Sequence, residues 1–238
     1  MIRGFYTALT GVVAAMTRQA VVADNIANVN TVGFKQSRTS HTDYELSVMN
    51  AVGPELGLLG SGTIPTDIRL DISQGPLEST GSKTDLAVEG DGLFVVRSGN
   101  GIAYSRAGDF GVDASGTLVT EQGYPVLDVA GHNIQIQSGA DFTVAQDGTV
   151  GETGQRIALV AWPAGGATRL GETLYAAPGS LPPATGQIRQ GMLERSNTDM
   201  SMAMTELITQ QRSFQLSARA LSLQDNTLGD ATQLGRLR

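Results

Sequence analysis

Hydrophobic and polar positions recur along this chain with two different periods, and the change of period marks out its parts. At the N-terminus Ile2, Phe5, Leu9, Val12, Met16, Gln19, Ala23 and Ile26 follow at alternating spacings of three and four, the rhythm of a helix that packs on another helix, broken only at Gln19. Past Ile26 the run Ala27-Asn28-Val29-Asn30-Thr31-Val32-Gly33-Phe34-Lys35 introduces Asn and Thr, which compete for backbone bonding, and a Gly able to turn left-handed. The helix is expected to stop there. Near the other end Ser196-Asn197-Thr198-Asp199 has the spacing of a capping box, with an acidic group suited to the positive end of a helix. Met204, Leu207, Gln211, Phe214, Ala218, Leu221 and Leu228 then repeat the three-four rhythm, with Asp225 as a further interruption. A first helix of this length spans roughly 40 Å at about 1.5 Å per residue, and an isolated helix is marginal in water, so each end needs a partner.

Between the ends the period falls to two. Thr66 to Ile72 alternates polar and apolar, Leu93 to Arg97 is a short apolar run, and Ser98-Gly99-Asn100-Gly101 supplies a hairpin turn before Ile102. Val112 to Leu118 and Val144 to Val150 each place an Asp and a Gly at a tight turn between strands. Asn133 to Gln137 alternates, and Ile157 to Trp162 reads as a buried strand stopped by Pro163. The chain is therefore expected to be α+β. Residues 1–35 and 194–238 make a helical, coiled-coil-like assembly domain, 36–72 an extended connector, and 73–193 an outer, mainly antiparallel β domain.

Composition narrows the function. The net charge of -7 argues against nucleic acid, and no Lys/Arg cluster marks a membrane surface. Met1 to Lys35 carries +2 and Glu194 to Arg238 is neutral, which leaves -9 on the middle. Near-neutral ends can pack against many copies of themselves, while an acidic middle stays hydrated. With no cysteine there is no disulfide, thiolate metal site or Cys nucleophile. Thr17, Arg18 and Gln19 cut the first apolar stretch short, so neither a secretion signal nor a membrane span is expected.

Candidate chemistry is sparse. Asp113 and Asp147 lack the density of a calcium loop and are better explained as turn residues. Asp85, Glu89 and Asp91 form the densest acidic cluster, but Gly90 and Gly92 argue against the burial a catalytic carboxylate needs. His41 and His132 have no neighbour at ligand spacing. No phosphate loop is present. No catalytic, cofactor-binding or metal residue is therefore assigned, and no cofactor is expected.

The ends and two inner segments resemble one family. Asp24 to Lys35, with Asn25, Asn28, Thr31, Gly33 and Phe34 at its heart, resembles the N-terminal signature of the bacterial flagellar rod and hook proteins. Leu193-Glu194-Arg195-Ser196-Asn197-Thr198-Asp199 resembles their C-terminal one, and Asp85 to Val96 and Tyr104-Ser105-Arg106-Ala107-Gly108-Asp109-Phe110 resemble their central motifs, in the right order. The resemblance implies a structural, non-enzymatic subunit of the flagellar rod in the basal body. Its terminal helices would pack against copies of itself and neighbouring rod and hook subunits, on Ile2, Phe5, Leu9, Val12, Met16, Ala23 and Ile26 and on Met204, Leu207, Phe214, Ala218, Leu221 and Leu228. It further implies export through the flagellar type III apparatus without a cleaved signal, and transmission of torque by packing. Polar positions in such stripes set register and partner number at some cost in stability. Two rivals from other classes are a peptidoglycan-degrading enzyme that opens the wall for the rod and a calcium-dependent surface adhesin.

Overall fold

The structure, a computed structural model, describes residues 2–46, 59–99, 101–136, 142–151, 153–163, 166–179 and 181–236; the side chains of 2–6, 41–66, 228 and 230–236 lie outside that description. The fold is α+β and the chain divides into two compact units. One comprises Met1–Ile26, Ser37–Arg69 and Asp199–Arg238; the other comprises Ala27–Gln36 and Leu70–Thr198. Residues 27–36 thus belong with the β unit, although they follow the first helix directly in the chain.

In the helical unit, α1 (Ile2–Ala27) ends where Asn and Thr begin. Asn28 then accepts from Thr31 twice, its carbonyl from the Thr31 N–H at 3.2 Å and its Oδ1 from the Thr31 hydroxyl at 3.1 Å, so the side chains that weaken the helix close a turn instead. The second helix, α2 (Met200–Arg236), has 37 residues and a length of about 55 Å at 1.5 Å per residue. Its cap is Asp199, whose Oδ1 accepts from the N–H groups of Ser201 (2.8 Å) and Met202 (3.0 Å). This corrects the capping box expected at Ser196. That hydroxyl accepts from the Thr198 N–H, and Asn197 is held elsewhere. The expected extended connector forms two long strands, β1 (Ser37–Leu46) and β2 (Leu59–Leu70), paired as a two-stranded sheet.

The β unit is a set of short strands: β3 (Leu77–Ser79), β4 (Leu86–Glu89), β5 (Leu93–Ser98), β6 (Gly101–Ser105), β7 (Gly111–Val112), β8 (Leu118–Val119), β9 (Leu159–Val160), β10 (Thr168–Arg169), β11 (Leu174–Ala176), β12 (Gln187–Gln190) and β13 (Met192–Glu194). Its main sheet runs β10-β11-β6-β5-β9, antiparallel throughout. Strand β5 explains why residues 93–96 are apolar without alternation. Phe94 and Val96 face a cluster with Leu86, Ile134 and Ile157, whereas Leu93 and Val95 face a second one with Tyr104, Leu127 and Tyr175. Both faces are covered, so neither can be polar. Edge-to-face ring pairs sit in both clusters, Phe94 with Phe110 at 5.0 Å and Trp162 with Tyr175 at 5.2 Å.

Among the described residues one turn is used four times. At Asp113–Thr117, Thr120–Tyr124, Asp128–His132 and Ala145–Thr149 the first residue donates its N–H to the carbonyl of the fifth, and the fourth, always Gly, donates back to the first. The four glycines have φ between 80 and 87°, the left-handed position of a three-residue hairpin loop. Asp113 accepts from Ser115 and Thr117, and Asp147 from Thr149, so the acidic residues brace the turns as expected. Two pairings have no counterpart in the sequence pattern: β12 on β4 and β13 on β3, which bring the chain after Gln187 back onto residues 77–89.

Candidate functional site: the motif junction and the helix faces

Three of the sequence motifs meet inside the β unit. Lys35 closes the N-terminal motif, Arg106 lies in the segment after β6, and Glu194 ends β13. Their side chains converge although they are far apart in the chain. Lys35 Nζ donates to Glu194 Oε1 at 2.6 Å and Arg106 Nε to Glu194 Oε2 at 2.6 Å. Lys35 and Glu194 are each 1% exposed and Arg106 is 2% exposed. Burying charges is costly unless they are paired and hydrogen-bonded, and here every side-chain nitrogen of the two cations has a partner. Lys35 also reaches the Ser73 carbonyl at 2.6 Å, Gly75 donates its N–H to Glu194 Oε1 at 2.9 Å, and Arg106 donates to the carbonyls of Val88, Gly90 and Gly92. Burial pulls the Lys35 ammonium below the ordinary lysine value, against the opposing attraction of Glu194.

The remaining motif residues build the walls. Phe34 is fully buried, with the Arg169 guanidinium 4.5 Å from its ring centre, and Arg169 donates to the Lys35 carbonyl at 2.5 Å. Gly33 has φ 67° and donates its N–H to the Glu194 carbonyl at 2.7 Å. A Cβ there would stand 2.3 Å from the Ala107 nitrogen, so Gly is required at this position twice over, by the left-handed φ and by close approach to the Arg106–Ala107 backbone, six residues past the end of α1. Asn197 ties the exit to the entry: its Oδ1 accepts from Gln36 N–H at 2.8 Å and its Nδ2 donates to the Asp71 carbonyl at 2.9 Å. In the helical unit Asn25 does the same for the start of β1, exchanging two hydrogen bonds with the Ser37 backbone at 2.8 and 2.9 Å.

The helices carry apolar residues on more than one side. On α1 the inward line is Ala8, Val12, Ala15, Gln19, Val22 and Ile26, still at three-four spacing but shifted by one residue at alternate positions from the line of large side chains. Val12, Gln19 and Ile26 belong to both lines; Leu9, Met16 and Ala23 are exposed, Met16 by 57%. On α2 the inward line is Ala203, Leu207, Gln210, Phe214, Ser217, Leu221 and Gln224, with Ala218 beside it half-buried. Met204 is exposed, and so are the polar interruptions Gln211 and Asp225. The two helices touch at Gly11, where a Cβ would stand 3.5 Å from Ser217 Oγ. Gly11 and Ser217 are small, which permits this approach, a feature that ranking by side-chain size misses. The side chains of Ile2, Phe5 and Leu228 lie outside the described ones.

The other candidate groups are engaged structurally. Glu89 pairs with Arg189 at 2.6 Å, and Asp85 accepts from the Thr80 hydroxyl at 2.6 Å. Exposed His132 lies 3.7 Å from Asp128, and the side chain of His41 is outside the described ones. Among the described residues no three His, Cys, Asp or Glu side chains are grouped to hold a metal ion, and no helix is long and apolar enough to cross a membrane.

Comparison with known proteins follows the same landmarks. Residues 5–35 match the family described as flagella basal body rod protein, 87–152 the flagellar hook protein FlgE/F/G D1 domain, and 189–234 the flagellar basal body rod FlgEFG protein C-terminal domain. The chain is 36% identical to the flagellar basal-body rod protein FlgG of Bacillus subtilis, over 99% of this chain and 100% of that one. It is 32% identical to FlgG of Borreliella burgdorferi, over 99% and 100%, and 35% identical to the rod protein FlgF of Caulobacter vibrioides, over 87% and 86%. Neither a wall-degrading enzyme nor an adhesin appears among these relatives. With its terminal motifs, its central motif and its whole length accounted for together, the chain belongs to the flagellar basal-body rod protein family.

Proposed function

We propose that this structural rod subunit, which is not an enzyme, assembles through the outward faces of α1 and α2 packed against those of neighbouring copies and of adjoining rod and hook subunits. One observation carries the reading: Leu9, Val13 and Met16 on α1 and Met202, Met204, Ile208, Leu216 and Leu223 on α2 are large, apolar and exposed in the single chain. Covering each contributes about 1.5 to 3 kcal/mol, and helices this long supply many such side chains. Val12 and Ile26, Leu207, Phe214, Ala218 and Leu221 would anchor the helices within the subunit and complete the contacts at their margins, with Ile2, Phe5 and Leu228 extending them at the chain ends. The acidic middle keeps the β unit hydrated on the outside, and torque passes through helix packing. In this reading the subunit travels unfolded through the flagellar type III export apparatus and takes its place in the periplasmic part of the rod. No cofactor takes part.

The test is a pair of full-chain variants, Met16→Asp and Leu9→Asp, followed by sedimentation over a concentration series. Each is expected to shift self-association to at least tenfold higher concentration while the Trp162 fluorescence of the β unit is unchanged. Association at the original concentration would remove the outward face of α1 from the interface.

A further inference from the structure

The buried triad has an asymmetry in chain order. Lys35 and Arg106 enter the β unit early, and the one carboxylate that neutralises both, Glu194, comes from the last quarter of the chain. Among the described residues every partner of the two cations inside the unit other than Glu194 is a neutral backbone carbonyl: Ser73 for Lys35, and Val88, Gly90 and Gly92 for Arg106. The same residue anchors backbone on two sides, through Gly75 N–H to its carboxylate and Gly33 N–H to its carbonyl. Around it the fit is close. A Cβ on Gly75 would stand 2.1 Å from the Arg195 carbonyl oxygen, and one on Gly33 would meet the Ala107 backbone. A unit closed without Glu194 would hold two desolvated cations without the carboxylate that hydrogen-bonds both, leaving only the weaker attraction of Asp71 for Lys35, a state that dehydration opposes strongly.

We propose that Glu194 is an electrostatic latch, which makes closure of the β unit conditional on arrival of the C-terminal segment. Until β13 pairs with β3, the segments 33–36, 71–75 and 88–92 have no common partner, and the unit stays open around Lys35 and Arg106. Once Glu194 enters, both cations are satisfied in one step, and Asn197 follows it to fasten Gln36 and Asp71. The latch makes folding all-or-none across a chain whose ends both belong to another unit.

The experiment uses the full chain with Glu194→Gln, which keeps the shape and removes the charge, and with Lys35→Met added to it. Folding equilibria are read in urea from Trp162 fluorescence, and amide exchange from Gly33, Arg195, Leu127 and Ile157. Glu194→Gln is expected to lower the folding equilibrium constant by about a hundredfold or more, the scale for stranding buried charge. Lys35→Met in that background is expected to restore tenfold or more, and the Leu127 and Ile157 amides, deep in the core, are expected to lose protection together with Gly33 and Arg195. A loss below tenfold would overturn the proposal, as would failure of Lys35→Met to restore it. Protection lost only around residues 186–198 would do so too, because the unit would then close without its latch. If Glu194→Gln does not fold, the double variant decides: folded, it supports the latch; unfolded, it refutes it.

Discussion

Gly33→Ala is the sharpest test of how the motif junction is packed. Gly33 has φ 67°, where an L-residue costs about 1 to 2 kcal/mol. Its added Cβ would also lie 2.3 Å from the Ala107 nitrogen, 2.5 Å from the Arg106 carbonyl carbon and 2.6 Å from the Ala107 Cα. All three are backbone atoms beside a buried ion triad, so they cannot swing away as a side chain would, and forced overpacking adds about 1 to 3 kcal/mol. Gly81 supplies the control: its φ is 73°, yet a Cβ there meets nothing within 4 Å. Gly81→Ala should therefore cost about 1 kcal/mol or less, since Ala also restricts the unfolded chain by about 0.4 to 1 kcal/mol. Gly33→Ala should cost at least about 2 kcal/mol more. Urea unfolding followed by the single tryptophan, Trp162, reads the unit directly, and that difference corresponds to a midpoint lower by about 1 M, for a urea slope of about 2 kcal/mol/M. Equal midpoints for the two variants would refute the reasoning, because backbone strain alone would then account for Gly33.

Two further outcomes concern the second helix and the repeated turns. Asp199→Ala removes the acceptor for two N–H groups and is expected to destabilise the start of α2 by about 1 kcal/mol, visible as lost far-ultraviolet helix signal, while Ser196→Ala leaves that signal unchanged. Hydrogen bonds from the Ser115 side chain and the Thr117 N–H lower the Asp113 pKa, and those from the Thr149 N–H and hydroxyl lower that of Asp147. A carboxylate depressed in the folded state contributes stability above its unfolded value of about 3.9, and the contribution is lost as pH falls through the lower folded value. Asp113→Asn and Asp147→Asn should therefore flatten the fall in urea midpoint between pH 5 and pH 3, and a fall as steep as that of the parent chain would contradict the assignment.

Periodicity determined that both ends are helical and that the middle is β, and Asp and Gly marked the turns at 113–117 and 145–149 but not those at 120–124 and 128–132, because each of these signals depends on residues that are neighbours in the chain. The stop after Ile26, the Asp and Gly turns at 113–117 and 145–149, and the apolar run of β5 are local events of that kind. The α2 cap was legible only to within three residues, since Ser196 and Asp199 both suit an N-cap and the choice depends on Asn197 being bound to Gln36 and Asp71. Only the tertiary structure decided the rest. It shifted the inward line of each helix by one residue at alternate positions from the line of large side chains, with Gly11 and Ser217 permitting a close approach. It brought Lys35, Arg106 and Glu194 together, for which the sequence carries no spacing signal: a charged residue in a polar motif looks solvated until strands β3 and β13 pair and close water out. Contacts between residues far apart in the chain arise from the register of sheet and loop, and that register is a property of the whole unit.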